Sequence, residues 1–497
     1  MARYVIGIDQ GTTLTKAVVF DHDARIVSSA SVEVQRFRPR PGWVEQDPDE
    51  ILAAAIKAAG EAVKNGRISL DDVDAVGISN QLLTTIFWNK RSGKAVGRAI
   101  VWQDTRTLPI CERLGEKDQA GIERRSGSHI LTNSSATRIR WLIENDKEVQ
   151  KGLAQGDLLF GTVDTWLVWK LSGGAVQVTD LSNICLSLLF NTESLTYDDW
   201  MLNELGIPYE ILPELRSSSE IYAYTNPGVF LGARLPIAGI CGDQFAAGFG
   251  QGCHNPGDMM CNLGTGSSVT LNMGERRVSP ANGIDSPILW SLNGVTTRGL
   301  GSWTNVSGSA VQWLRDGLGI INDYSEAEVF ASRVNDTQGV YFVPAFSGLG
   351  GPHDDPYARG SFFGITETTT KNHMVRATFE AMAFQVRDAV EQTKLVSGMG
   401  VGLLHSGGGA ARNDFLLQFL SDILGIPVIR PSVVESSVMG AAFLAGLGTG
   451  YWESQEELET LIRTEREYHP TITVDRRDEL YAGWKKAIAR SAGWSRA

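Results

Sequence analysis

Cysteine is scarce and scattered in this chain. Five residues, Cys111, Cys185, Cys241, Cys253 and Cys261, stand among 497 with no Cys-x-x-Cys spacing. That excludes a disulfide framework or a thiolate zinc site and points to a reduced, cytoplasmic protein. Positive charge is also in short supply, with 45 Lys and Arg against 57 Asp and Glu for a net charge of −12. A nucleic-acid-binding face or contact with an anionic membrane would need clustered basic residues, so neither is expected, and small-molecule partners are. No apolar run approaches the roughly 18 residues that cross a bilayer, and a strand pattern begins within a few residues of Met1, so neither a membrane span nor an export signal is expected. Low-complexity linkers are missing too. At 42% apolar and 21% charged residues the composition is that of a globular protein, and 497 residues exceed what one core supports, so two domains, or three, are expected.

What is present begins at residues 4–20, YVIGIDQGTTLTKAVVF. An apolar run ends in Asp9, a Gly-Thr-Thr turn follows, and a second β-rich run leads away. Glycine permits a tight turn, backbone N–H groups and the Thr12 and Thr13 hydroxyls can donate to phosphate oxygens, and Asp9 can hold Mg²⁺ through water. No Gly-Lys-Ser/Thr follows and no helix opens at the glycine, which excludes a Walker loop and a Rossmann fingerprint. Taken alone, the pattern also fits an ordinary hairpin with polar turn residues.

A second half-site supports the phosphate reading. Three β-runs fill the first 40 residues, the third at 25–34, followed by helical spacing at 50–63 and a buried strand at 73–79. The order recurs in weaker form at 257–274, GDMMCNLGTGSSVTLNMG, two β-runs broken by Gly264-Thr265-Gly266. Residues 236–252 run from a strand into an Ala/Gly-rich helix, and the Pro256-Gly257 stretch beyond it marks a boundary, dividing the chain into 1–250 and 251–497. Helical patterns follow at 310–318, 373–393 and 414–424, while 403–411, LLHSGGGAA, is a strand ending in a glycine cluster. One phosphate-type hairpin per domain, plus this glycine-rich turn, predicts a nucleotide held in a cleft between two similar halves.

Together with PGWVEQDP at 41–48, AIVWQDTR at 99–106, LLFGTVDTWLVWKLSGG at 158–174, GDQ at 242–244, QWLRD at 312–316, YFVPAFSGL at 341–349, DPYARG at 355–360, SDILGIPV at 421–428 and YAGWKKA at 481–487, these segments resemble the FGGY family of carbohydrate kinases. Within it the glycerol kinases are most similar. The resemblance implies an α/β protein of two actin/hexokinase-like, ribonuclease H-like domains around a central cleft. It implies an ATP- and Mg²⁺-dependent phosphotransferase for a small polyol or sugar, assembled as a homodimer or tetramer.

It also implies roles. Asp243 is the expected general base, although by position it could instead cap the helix beginning near Phe245. Asp9 corresponds to the Mg²⁺-associated aspartate. Thr12, Thr13 and Lys16 would approach the terminal phosphates, with Lys16 in place of a usual arginine, although a solvent-facing strand lysine fits that position too. Thr265 and Gly266 match the second phosphate loop, Gly308 and Gln312 ribose or phosphate contacts, and Gly408, Gly409 and Asn413 the adenosine element. Gly407 replaces a usual aspartate. His129, His353 and His405 lack ligand spacing and are expected at the surface or in loops.

The acceptor pocket departs from the family pattern. Trp102, Asp243 and Gln244 remain, but Leu82 and Leu83 stand where glycerol kinases carry an Arg-Glu pair that bonds polyol hydroxyls. Asn133 replaces a tyrosine and Ser268 a phenylalanine. A buried hydroxyl without a partner costs about 1–3 kcal/mol, so these changes predict an acceptor other than glycerol, longer or partly deoxygenated. Two alternatives stand beside this. The enzyme is a true glycerol kinase, or the scaffold is a non-catalytic sensor. Leu82 and Leu83 would also face the core if their strand ended early.

Overall fold

Buried apolar runs with small residues between them build the central strands. The structure, a computed structural model, describes residues 3–496, so the outermost ends of the expected domains, 1–2 and 497, lie outside it. A six-stranded sheet forms from β1 (Tyr4–Gln10), β2 (Leu14–Phe20), β3 (Ile26–Glu33), β4 (Val73–Asn80), β5 (Ser219–Tyr224) and β6 (Pro236–Gly242), in the order β5-β6-β4-β1-β2-β3. β4 and β6 are buried along almost their whole length, as parallel strands covered on both faces must be. A seven-stranded sheet forms from β7 (Met259–Leu263), β8 (Ser267–Gly274), β9 (Ile288–Leu292), β10 (Val295–Thr304), β11 (Leu404–Gly407), β12 (Val428–Pro431) and β13 (Thr464–Tyr468), in the order β9-β10-β8-β7-β11-β12-β13. Both sheets contain the same unit, three antiparallel strands continued by two parallel ones: β3-β2-β1-β4-β6 and β10-β8-β7-β11-β12. The expected duplication is present as topology.

Helices cover these sheets. α1 (Pro48–Gly66) starts at Asp47, whose side chain accepts the Asp49 N–H, and turns an alanine face, Ala54, Ala55, Ala58, Ala59 and Ala62, onto the first sheet. α2 (Ser135–Asn145) is tied through Arg138 to Leu83, just beyond β4, and α3 (Asp243–Gly250) starts at the carboxyl end of β6. α4 (Gly308–Asp316), α5 (Lys371–Ser397) and α6 (Asp414–Leu424) belong to the second half.

α7 (Ser436–Thr449) follows β12 in sequence yet lies on the first sheet. Gly7, Gly77 and Gly239 align across β1, β4 and β6, and a Cβ at each would overlap backbone of Val438, Ala441 and Ala445 respectively. The missing side chains are what lets the helix approach. Among the described residues no helix is long and apolar enough to cross a membrane.

Candidate active site

The parallel register brings Asp9, Ser79 and Cys241 level, so β1, β4 and β6 end together on one edge with Asp243 just beyond. Carboxyl ends of parallel strands are where open α/β sheets bind ligands. Ser79 Oγ donates to Asp9 Oδ1 at 2.8 Å, but burial outweighs that bond and the Lys16 charge and pushes the Asp9 carboxyl up to about 6. Burial, then the negative charge of Asp9, pushes Asp243 up to about 8 against the bond from the Gln244 N–H at 2.8 Å. Gly242 is the N-cap of α3 and makes no side-chain bond, so the alternative in which Asp243 caps this helix does not hold. Apart from the Gln244 N–H on Oδ1, no hydrogen bond engages the carboxyl among the described residues.

The hairpin turn closes through Gly11 N–H to the Leu14 carbonyl at 3.0 Å, and Val34 N–H holds the Thr13 carbonyl at 2.9 Å. Thr12 is gripped twice: its carbonyl accepts from Gln46 Nε2 at 2.8 Å and its hydroxyl from Trp102 Nε1 at 2.9 Å. Thr13 is exposed at the mouth. Lys16 is not a free surface lysine. Its Nζ lies 2.9 Å from Glu435 Oε1, and Arg412 donates to the same oxygen at 2.7 Å, so Glu435, immediately before α7, joins the two halves. Although burial opposes its charge, these two cations hold the Glu435 carboxyl below its usual range.

Behind the acceptor side, Gln81 Nε2 donates to Gln10 Oε1 at 3.0 Å and to Gln46 Oε1 at 2.8 Å, a buried amide cluster that ties three segments together. Arg138 on α2 donates to the carbonyls of Leu83 at 3.0 Å, Asn133 at 2.7 Å and Trp102 at 2.8 Å. Three positions expected in the acceptor pocket thus converge from distant segments on one guanidinium, which burial holds down to about 9. Strand β4 ends at Asn80, before the two leucines. Leu82 and Leu83 are 7% and 4% exposed and sit in the core cluster, with Leu82 against Gly242. They face the core, as the early-ending strand allows.

In the second half, Gly264 N–H bonds the Gly266 carbonyl at 2.9 Å, and the turn docks on the start of α4 through Ser307 N–H to the Thr265 carbonyl at 2.9 Å and Gly308 N–H to the Gly264 carbonyl at 3.0 Å. Thr265, Gly266 and Gly308 are therefore brought together. Gln312 lies exposed one turn along α4. Gly408 has φ +84° and lies so close to Asn262 and Leu263, at the end of β7, that a Cβ would overlap them, whereas space around Gly409 is open. Asn413 spends its carbonyl oxygen capping α6, accepting the Leu416 N–H at 2.7 Å. A side chain at Gly407 would overlap Gln251 and Ser436 Oγ, where α7 begins.

Gln10, Gln46, Gln81, Arg138 and Trp303 escape the sequence reading. Gln10 and Gln46 lie in quoted motifs and Gln81 beside Leu82, but amides and an arginine carry no spacing signal of their own. Trp303 on β10 donates its indole N–H to Gln244 Oε1. Of the histidines, His129 and His353 lie in loops as expected, though each is paired with a buried aspartate, His129 Nδ1 2.7 Å from Asp285 Oδ1 and His353 Nε2 2.8 Å from Asp388 Oδ2; His405 instead lies within β11.

Residues 4–250 match the N-terminal domain of the FGGY family of carbohydrate kinases, and residues 259–449 match its C-terminal domain. The chain belongs to this family. Glycerol kinase 2 of Thermotoga maritima is 46% identical to this FGGY kinase over 495 residues, 99% of this chain and 100% of that one. The glycerol kinase of Escherichia coli O81 is 45% identical over 493 residues, 99% and 98% of the two. Among solved structures, Plasmodium falciparum glycerol kinase with ADP superposes with a TM-score of 0.89 at 31% identity over 98% of each chain. Xylulose kinase of Lactobacillus acidophilus, at 22% identity and a TM-score of 0.84 over 99% of each, shares the fold.

This FGGY kinase is a phosphotransferase that uses ATP and an alcohol acceptor of the small polyol or sugar class. That removes the non-catalytic sensor. It also corrects the expected acceptor: relatives matching the whole chain at 42% to 46% identity are glycerol kinases, which overturns the expectation of an acceptor other than glycerol. The physical reason lies in Leu82 and Leu83, whose buried side chains fill the core and so say little about the acceptor.

Proposed function

We propose that this enzyme is a glycerol kinase, transferring the γ-phosphoryl group of ATP to a primary hydroxyl of glycerol. One observation carries the chemistry: the Asp243 carboxyl, uncommitted to capping and pushed up to about 8, stands beside the phosphate-type hairpin. A general base works best with a pKa near the operating pH, and Asp243 would take the proton of the attacking hydroxyl as the O–P bond forms. The choice of glycerol rests on the relatives.

Backbone N–H groups of both turns, with Thr12, Thr13 and Thr265, would hold the phosphates alongside Gly266. Lys16, released from Glu435, would add positive charge. Gly308 and Gln312 would meet ribose or phosphate, and Gly408, Gly409 and Asn413 the adenosine. On the acceptor side Trp102 would cover the carbon chain, with Gln244 and Asn133 contributing polar groups and Ser268 at the wall. Two neighbouring carboxyls at one strand edge are an excess of negative charge that fits a divalent cation. Asp9 would hold Mg²⁺ through water, and bound there the ion neutralises phosphate charge. Closure of the two halves would exclude water from the γ-phosphate.

ADP release with Mg-ATP is the test, measured across glycerol, erythritol, threitol, ribitol, xylitol, erythrulose, ribulose and xylulose. Glycerol is expected to have the highest kcat/KM. A higher value for any other acceptor would overturn the reading.

A further inference from the structure

Ser268 stands where the family pattern has an aromatic wall, and the structure shows what lies opposite it. In the antiparallel pairing of β8 and β10, Ser268 is level with Trp303. Directly paired residues on adjacent strands project to the same face. Ser268 is 3% exposed and its hydroxyl finds no partner among the described residues, so the serine is covered rather than open to solvent. The bulk absent at 268 is present one strand away.

Trp303 is held in place from several sides. Gly301, two residues earlier on the same face of β10, leaves room for the indole: a Cβ there would stand 3.0 Å from its Cη2. Gly351 N–H donates to the Trp303 carbonyl at 3.1 Å. The ring packs against the core cluster that contains Leu82, Leu83 and Phe245 of the first half. Its N–H crosses between the halves to Gln244 Oε1. An indole nitrogen is a donor only, so the glutamine must turn its oxygen toward Trp303 and its NH₂ group away. That leaves two amide hydrogens beside Asp243, able to donate to an acceptor hydroxyl oxygen while its proton faces the carboxylate.

We propose that Trp303 is a positioning residue for the acceptor: it restores the wall that Ser268 leaves out and locks the Gln244 amide in the orientation that receives glycerol. The inference rests on the glycerol kinase reading for the identity of the acceptor. Because Trp303 sits on the second sheet and Gln244 follows the first, the site is complete only when the halves are together.

Steady-state kinetics of Trp303→Phe, Trp303→Ala, Gln244→Ala and the Trp303→Phe/Gln244→Ala double variant test this. Trp303→Phe keeps an aromatic surface and loses the N–H; the glycerol KM should rise about tenfold, with kcat and the ATP KM within about twofold of wild type. Trp303→Ala should open the wall and raise the erythritol-to-glycerol ratio of kcat/KM by about tenfold or more. In the Gln244→Ala background the Phe substitution should have no further effect on the glycerol KM, a non-additivity that a purely structural tryptophan would not produce. Unchanged glycerol KM in Trp303→Phe, additive effects in the double variant, or loss of ADP binding in both single tryptophan variants would overturn the proposal. If wild type prefers another acceptor, the glycerol reading fails on its own, and the same variants are read with that acceptor.

Discussion

Asp243 and Arg138 show how differently single residues reach a site. Asp243 opens α3 because the strand before it ends at a glycine N-cap, and its raised pKa comes from burial and from Asp9. Replacing it with asparagine removes the carboxylate proposed as proton acceptor while keeping shape. Asp243→Asn should lower kcat by about 10²–10⁴-fold, with ADP affinity measured by calorimetry unchanged. Retained turnover would remove Asp243 from the base role. Arg138 is buried and binds the carbonyls of Leu83, Asn133 and Trp102. A lysine has the charge but not the planar fork that serves three carbonyls at once. Arg138→Lys should raise the glycerol KM about tenfold, equivalent to one lost hydrogen bond to a charged group, and leave the ATP KM near wild type. The placement of Asp9 and Thr12 at a hairpin and of Asp243 at a strand end was legible in sequence because both features are local. Arg138 was not, since its partners lie up to 55 positions away.

Local chemistry explains most elements. The antiparallel pairing of β1 and β2 follows from two apolar runs around Gly11 and its bond to Leu14, and α1 follows from the Asp47 cap and an alanine stripe. Helical spacing at 414–424 coincides with α6, while the pattern at 373–393 covers only part of α5, whose ends at Lys371 and Ser397 depend on the capping box of Thr370 with His373 and on Gly398. The position of α7 has no local signal. Its contact with the first sheet depends on three glycines on three strands, and adding one methyl group would press it into the helix backbone. Gly77→Ala should destabilise the protein by about 3 kcal/mol, the upper range for overpacking a core. A chemical denaturation midpoint unchanged from wild type would show that α7 can retreat without cost.

At the scale of the whole molecule, the halves are joined by polar contacts as well as by α7. Lys16 and Arg412 share Glu435, Trp303 reaches Gln244, and His129 pairs with Asp285. Burial works against the charge on His129, but the Asp285 bond and charge outweigh it and push the imidazole up to about 9. A folded-state pKa above the unfolded value of about 6.5 means that the pair's stabilisation is complete below that pH. It is lost as pH rises through about 9. His129→Gln should therefore lower Tm by roughly 2 °C at pH 6, with the difference closing by the alkaline end of that window. A Tm difference that does not change with pH would refute the linkage.

By itself the sequence determined the duplicated α/β halves and the two phosphate-type turns, because glycine placement and apolar periodicity act over a few residues, and its resemblance to the FGGY family implied the kinase class. Only the tertiary structure decided which side chains from distant segments meet. Leu82 and Leu83 read as a rebuilt pocket in one dimension and lie in the core in three, while strand pairing brings Trp303 level with Ser268. Which face a side chain meets is set by register and by the approach of distant segments, and neither is written in the spacing of neighbouring residues.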